Sequence, residues 1–463
     1  MILSLMLCLG CTGNDPEPND SENTGADDSG PTDTGSDDTG DTGPDDTGET
    51  GEPPLDRFTG DIELFDAPGL IRGTKQYVPL GMYVSRGAEG TNGRRTFWVT
   101  DAQYELAYAW DSGVLGEQTQ DDADLQLKDP NSETYSYFGY ASVGDQDLNG
   151  DQVADFAVVA PGVGGTSHVS VFQGAPSAGD TPIASISGPN QGFGWSIAAV
   201  HYDTAHVAVT TPNGGVYLFA SPSGDVAKAD YDVHLSNAAG WNDVQVDRAG
   251  DLDGDGIDEL IVSSRDRVYV LKGPLSGDVD LNDADAIITT MHILDYLTAV
   301  GRGGGDLDGD GREDLIVGSP YSNGMSGFAA VLTRPMSASS DLTDAEILLE
   351  YSGGRQALFG YSLDAAGDVD ADGQDDVIIG APELDSSGAA RGEAFLWYGP
   401  LSPGTHGSDN AEARFYSDTD RGHLGIQVLG LGDTNGDGAS DLLISAPYLT
   451  SGKTSGVVGV WSL

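Results

Sequence analysis

The chain has 463 residues, enough for one large or two to three ordinary domains; its 67 glycines and 38% apolar content argue for short strands and many turns over helices. Seventy-five acids against 20 basic residues give a formal net charge of −55. That excludes nucleic acid as a partner, since gripping phosphates takes a basic surface, and makes cations the natural counterpart.

The first eleven residues, MILSLMLCLGC, form an apolar targeting segment too short to span a bilayer as a helix, which takes about 20 residues. It resembles the end of a bacterial lipoprotein signal, with LGC placing Cys11 at the lipidated position. The resemblance implies an exported lipoprotein of the outer membrane or cell surface, held by a lipid anchor only; an ordinary secretion signal is the alternative. Both cysteines, Cys8 and Cys11, fall here, so residues 12–463 contain no thiol and no disulfide. Residues 12–57 read as a disordered linker: positions 12–54 carry 14 acids and no basic or aromatic residue, and cannot bury enough apolar surface to offset the entropy of ordering.

Residues 58–463 read as one all-β repeat domain. Its first unit is four short strands over 79–87, 95–102, 105–110 and 124–129, without an acidic loop. An acidic loop then recurs, opening at Asp147, Asp251, Asp306, Asp368 and Asp433, with gaps of 104, 55, 62 and 65 residues. The first gap is twice 52, and residues 193–219 between them keep the apolar frame of a unit while lacking the acids. Each unit reads as four strands; in the sixth they are 359–368, 376–382, 392–400 and 413–418. A four-stranded antiparallel sheet repeated about every 58 residues is a propeller blade, and 58–463 holds seven. The last unit is one strand short. Residues 60–69, which resemble 345–354, are predicted to complete it, closing the ring and removing an exposed edge.

Within each loop, side-chain oxygens stand at positions 1, 3, 5 and 9, with a backbone carbonyl at position 7. The sets are Asp147, Asn149, Asp151, Val153 and Asp155; Asp251, Asp253, Asp255, Ile257 and Glu259; Asp306, Asp308, Asp310, Arg312 and Asp314; Asp368, Asp370, Asp372, Gln374 and Asp376; and Asp433, Asn435, Asp437, Ala439 and Asp441. Six to eight oxygens around one point suit Ca2+ better than Mg2+, which gives up its waters reluctantly, so up to five Ca2+ ions are predicted, at the weak affinity of extracellular modules. A glycine at position 6 permits the turn, except where Gln152 replaces it. An EF-hand would need Glu at position 12 and flanking helices; here position 12 is Val or Ile and strand-like runs follow. A charge-rich turn without metal is the remaining alternative.

The succession of Phe-Gly (Phe138-Gly139, Phe193-Gly194, Phe359-Gly360), acidic loop and a strand ending near Gly-Ala-Pro resembles the FG-GAP repeat of the integrin α-subunit propeller. The resemblance implies seven blades, calcium in the loop between first and second strands, and extracellular adhesion or ligand binding. The expected function is therefore a calcium-binding, membrane-tethered recognition module for a protein or glycan ligand. Its ligand face would lie opposite the metal loops, where Tyr321, Arg355, Arg391, Arg421, His423, Tyr448 and Lys453 supply aromatic and basic groups. The alternatives are a calcium-assisted polysaccharide lyase or hydrolase and a purely architectural envelope protein. No Gly-x-Ser-x-Gly or His-Glu-x-x-His motif occurs, and the seven histidines have no repeated spacing.

Overall fold

The computed structural model describes residues 57–462 apart from 76–78, 90–93, 112, 132–135, 163–166, 177–178, 189–191, 213–214, 237–243, 265–266, 290–298, 301–304, 334–339, 354–355, 384–389 and 452–453. Cys11 and the linker through residue 56 lie outside the described residues. The chain forms seven small, mainly antiparallel sheets arranged as the blades of a β-propeller. The first blade pairs Tyr83–Glu89, Arg95–Asp101, Leu106–Trp110 and Leu125–Lys128 in chain order. The sixth pairs Ser362–Gly367, Asp376–Ala381, Glu393–Trp397 and Ala413–Tyr416.

Why the second strand of each blade is an unbroken apolar run follows from the packing. Each sheet lies between two others, so both faces of its central strands are covered and alternation disappears. Asp155–Ala160, Glu259–Ser264, Leu315–Ser319 and Asp376–Ala381 are buried at every residue. The core is accordingly divided into seven clusters, each filling the seam between neighbouring blades. One joins Ile316, Val331 and Leu349 of the fifth blade to Val377, Phe395 and Trp397 of the sixth. Another joins Phe97, Val99 and Trp110 of the first to Leu431, Leu443 and Val458 of the seventh. The Phe-Gly glycines serve these seams: Gly360, at φ +84, brings its α-carbon so near the fifth blade that a Cβ would lie 2.7 Å from the Phe328 carbonyl oxygen.

Residues 60–69 do not form one closing strand, and the prediction is corrected in register. Gly69–Arg72 is the strand paired antiparallel with Thr454–Trp461 in the seventh blade, with Gly69 opposite Val460 and Arg72 opposite Val457. Gly60–Glu63 instead runs parallel to Ala413–Tyr416 on the outside of the sixth blade. The two tetrapeptides GDIE and GLIR bracket a single 3-10 turn at Leu64–Asp66 and belong to different sheets.

That arrangement recurs, so the blades exceed the four strands predicted for them. Six of the seven sheets carry a fifth, parallel strand; in five it is supplied by the third-to-fourth-strand connection of the next blade, and in the sixth by Gly60–Glu63, which precedes the seventh blade's outer strand. Gly224–Ala227 lies on the second blade, Gly277–Asp280 on the third, Ser340–Asp341 on the fourth and Gly404–Gly407 on the fifth. Gly116–Thr119 does the same for the seventh. A 3-10 turn follows each, and in three of them a leucine, Leu64, Leu281 or Leu342, is fully buried in a seam. Burying one such side chain is worth about 1.5–3 kcal/mol. Only the first blade lacks this strand among the described residues, and its outer strand is correspondingly open: Gln126 and Lys128 are exposed.

Candidate metal centre

Each acidic loop leaves the first strand at a bend. In the fourth, sixth and seventh blades a β-bulge ends at a glycine with positive φ (Gly250, Gly367, Gly432), turning the chain out of the sheet just before position 1. Gly250 is obligatory for a second reason: a Cβ there would lie 1.4 Å from Glu313 Oε2 of the next blade. Positions 4 and 6 are also left-handed. Position 4 is glycine in four loops and Ala371, at φ +59, in the fifth; position 6 is glycine in four and Gln152, at φ +69, in the loop opening at Asp147.

The position-1 carboxylate organises the loop by accepting backbone N–H groups. Asp251 Oδ1 accepts from Gly254 N at 2.7 Å and Asp255 N at 2.9 Å, and its Oδ2 accepts from Gly256 N at 2.8 Å. Asp306 and Asp368 repeat the bonds from positions 5 and 6. Position 9 closes the loop from the second strand. Glu259 Oε2 accepts from Leu252 N at 2.7 Å, Asp314 Oδ2 from Leu307 N at 2.8 Å, and Asp376 Oδ2 from Val369 N at 2.7 Å. Oxygens of Asp251, Asp253 and Asp255 lie within 4.8 Å of one another, as do those of Asp306, Asp308 and Asp314 and those of Asp368, Asp370 and Asp376.

So close a gathering of carboxylates, with the position-9 acid buried, is costly without a positive charge. Burial, followed by the neighbouring aspartates, pushes Glu259, Asp314 and Asp376 up to about 7 and Asp441 up to about 6, against the pull of their backbone donors. Glu259 Oε1 and Asp314 Oδ1 are buried without a hydrogen-bond partner. A hard cation taking oxygen ligands fits that donor set, satisfying the orphaned oxygens and the charge together.

The two loops with asparagine at position 3 differ. Asn149 Oδ1 accepts from Asp151 N at 2.9 Å, while its Nδ2 donates to Asp151 Oδ2 and Asp155 Oδ1, both at 3.3 Å. Asn435 does likewise, its Nδ2 donating to Asp437 Oδ2 at 2.6 Å and Asp441 Oδ1 at 3.5 Å. An amide donor thus occupies the place that a second carboxylate oxygen takes in the other three. Side-chain cations also reach two of the acid-rich loops: Lys272 Nζ pairs with Asp253, and Arg57 lies 3.0 Å from Asp370 and 3.6 Å from Asp372.

Position 8, which the ligand pattern passed over, joins blade to blade. Asp258 Oδ2 accepts from His201 N of the third blade, Glu313 Oε2 from Asp251 N of the fourth, and Asp375 Oδ2 from Asp306 N of the fifth, each at 2.9 Å. The signal available was an acid at this position in three of the five loops.

Of the predicted ligand-face residues, Arg355 and Lys453 lie outside the described residues. His423 and Tyr448 come together, ring centroids 5.5 Å apart, but His423 is buried with Nδ1 bonded to the Pro382 carbonyl at 3.0 Å. Burial lowers its proton affinity. It is a packed side chain, which corrects its assignment to an open face. Arg391 pairs with Asp420 at 2.8 Å, its backbone carbonyl receives Leu424 N, and Arg421 is exposed nearby in sequence. Tyr321 is half-buried and belongs with tyrosines that sequence reasoning missed. Burial raises Tyr361, and the hydroxyls of Tyr321, Tyr448 and Tyr140 raise it further; Tyr83 is raised in the same way by burial, then by Tyr140, Tyr448 and Tyr361. Tyr140 and Tyr361 directly follow the Phe-Gly pairs, which places this cluster at the end of the blades opposite the acidic loops.

The FG-GAP repeat family matches residues 303–332 and 359–396. Integrin alpha-PS2 of Drosophila melanogaster is 34% identical over 151 residues, covering 31% of this chain and 10% of the relative. Integrin alpha pat-2 of Caenorhabditis elegans is 30% identical over 177 residues, covering 36% of this chain and 13% of the relative. The chain thus matches only about a tenth of the length of these curated relatives. A crystal structure of BBS1N in complex with ARL6DN aligns with 84% of the chain at 11% identity and a TM-score of 0.48, a likeness too distant to bear on function. Loops, Phe-Gly seams and family match agree: this is a seven-bladed β-propeller carrying FG-GAP repeats and similar, over part of its length, to integrin α subunits.

Proposed function

We propose that this protein is a calcium-binding recognition module, exported and held at a membrane by a lipid on Cys11, that engages a protein or glycan ligand through the end of the propeller opposite its acidic loops. The observation that carries the calcium assignment is a pair of buried oxygens without a hydrogen-bond partner: Asp314 Oδ1, in a residue gathered with Asp306 and Asp308, and Glu259 Oε1, in a residue that feels the charges of Asp251, Asp253 and Asp255. Calcium would be held by Asp251, Asp253, Asp255 and Glu259 in the fourth blade and by the matching residues of the others. There it would tie the first strand to the second and, through position 8, hold the loop that braces the preceding blade. Recognition is supported by the similarity to integrin α subunits and by the tyrosine cluster, since aromatic residues and arginine are enriched where interfaces bind tightly.

The test uses labelled full-length protein on glycan and cell-surface protein arrays, with calcium and with chelator. Calcium-dependent capture by a defined ligand, reduced by Tyr361→Ala, supports the reading. Absence of any saturable ligand in calcium leaves the architectural alternative and refutes recognition. Lipidation is tested separately: a Cys11→Ser chain that still partitions with membranes would remove the anchor.

A further inference from the structure

Position 3 of the acidic loops in the second and seventh blades is asparagine, Asn149 and Asn435, and position 4 is glycine with φ +88 or +89. Asparagine followed by glycine is the pair most open to attack of the following backbone nitrogen on the side-chain carbonyl, because glycine has no side chain in the way. Here the loop supplies more than the pair. The hydrogen bond from Asp151 N to Asn149 Oδ1 at 2.9 Å folds the amide back over the chain and polarises its carbonyl. The nitrogen that would attack, Gly150 N, donates to the Asp147 carboxylate at 2.6 Å. Asn435 has the same surroundings: Asp437 N bonds its Oδ1 at 2.7 Å, and Gly436 N donates to Asp433.

From these contacts we infer that Asn149 and Asn435 are sites of spontaneous deamidation, controlled by whether a cation occupies the loop. Gly150 N gives its proton to Asp147 and bonds to Asn149 Cγ; the Cγ–Nδ2 bond breaks, the nitrogen takes a proton from water and leaves as ammonia, and Asp147 returns its proton to the hydroxide left behind. Water then opens the succinimide to aspartate or isoaspartate. Aspartate gives the loop a fourth carboxylate and makes it match the three acid-rich ones, whereas isoaspartate lengthens the backbone by one methylene and spoils it. A cation drawing on the Asp147 lone pairs removes the base, so an occupied loop is protected. This last step rests on the calcium reading.

The chain carries its own control in Asn323–Gly324, an exposed pair outside any acidic loop, with Asn323 at φ +52. Full-length protein is incubated in chelator or in calcium, digested, and examined by mass spectrometry with electron-transfer fragmentation. The expected result is a mass gain of about 1 Da at Asn149 and Asn435 in chelator, several-fold slower in calcium, while Asn323 reacts at one rate in both. An Asp147→Asn chain should lose reactivity at Asn149 and keep it at Asn435, whose unchanged rate reports an intact fold. The inference is overturned if neither site reacts in chelator while unstructured peptides of the same sequence do, or if Asp147→Asn leaves Asn149 as fast as before. If the sites react, respond to Asp147→Asn and yet ignore calcium, the cation control and the calcium reading fail while the deamidation sites stand.

Discussion

The third and fourth blades are neighbours and link their first two strands in opposite ways. In the third, Ile197–His201 passes to Ala205–Thr210 through three residues, Tyr202 to Thr204, and the turn closes on one bond from Tyr202 N to the Thr204 carbonyl. In the fourth, Val244–Gly250 reaches Glu259–Ser264 through an eight-residue loop crowded with carboxylates. Both sheets form, and both bury their second strands completely. The long loop is therefore not required to make a blade. It adds a place for a cation and an arm, Asp258, that reaches back to His201 N of the short-turned neighbour.

The strongest way to break this contrast is to remove calcium. Chelation should lower the melting temperature by several degrees, because a ligand at a hundred times its dissociation constant contributes about 2.7 kcal/mol per site. Hydrogen exchange should rise around Asp251–Glu259 and in the fifth and sixth loops while residues 197–210 stay protected; equal loosening of both regions would erase the distinction. Magnesium should not restore what calcium does.

Acidity gives the next largest effect. In the cation-free protein burial and neighbouring aspartates push the position-9 acids Glu259, Asp314 and Asp376 up to about 7, well above their ordinary values near 4. The folded state then holds protons that the unfolded chain has already released, so stability falls as pH rises from about 4 to about 7. Calcium binding must expel those protons, so affinity weakens as pH falls below about 7. Melting curves between about pH 5 and about pH 8 should therefore fall with rising pH in chelator and stay nearly flat in saturating calcium.

Glu259→Gln sharpens the comparison within one loop. It should cost the fourth blade its ion and lower stability in calcium, yet raise stability by about 1 kcal/mol in chelator near neutral pH, where the buried charge is unfavourable. A change of the same sign in both buffers would contradict the assignment. Asn435→Asp should bring the seventh loop toward the acid-rich ones, raising its calcium affinity by about tenfold, since affinity follows the count of charged ligands. Isothermal titration of the variant reads this directly. The smallest effect is conformational: Gln152→Gly, which relieves a left-handed side chain, should stabilise by about 1 kcal/mol, read from denaturant midpoints.

Much of this molecule was legible from sequence for a physical reason. Loops needing several oxygens at fixed spacing leave a pattern that repeats, and strands covered on both faces leave apolar runs, so blade number, the four principal strands and the loop register could be read. The parallel fifth strands could not: GDVD or GEQT carries no alternation, being held by backbone bonds and by the buried leucine or capped turn that follows. The same blindness displaced the N-terminal strand, because GDIE and GLIR are both short and only the second faces a seam on either side. Position-8 acids such as Glu313 have partners 62 residues away, which spacing within a loop does not reveal. His423 shows the converse: a histidine in a turn invites an exposed role, while its neighbours Pro382 and Tyr448 enclose it.

The split use of residues 60–72 has a mechanical consequence. Tension travelling along the chain from upstream of residue 57 meets the sixth sheet at Gly60–Glu63, then the seventh at Gly69–Arg72, before it reaches the first. Leu64, sunk between the two attachments, acts as a peg that must be drawn out before the second is strained. A pull on this end of the chain would thus be spread over two blades in succession.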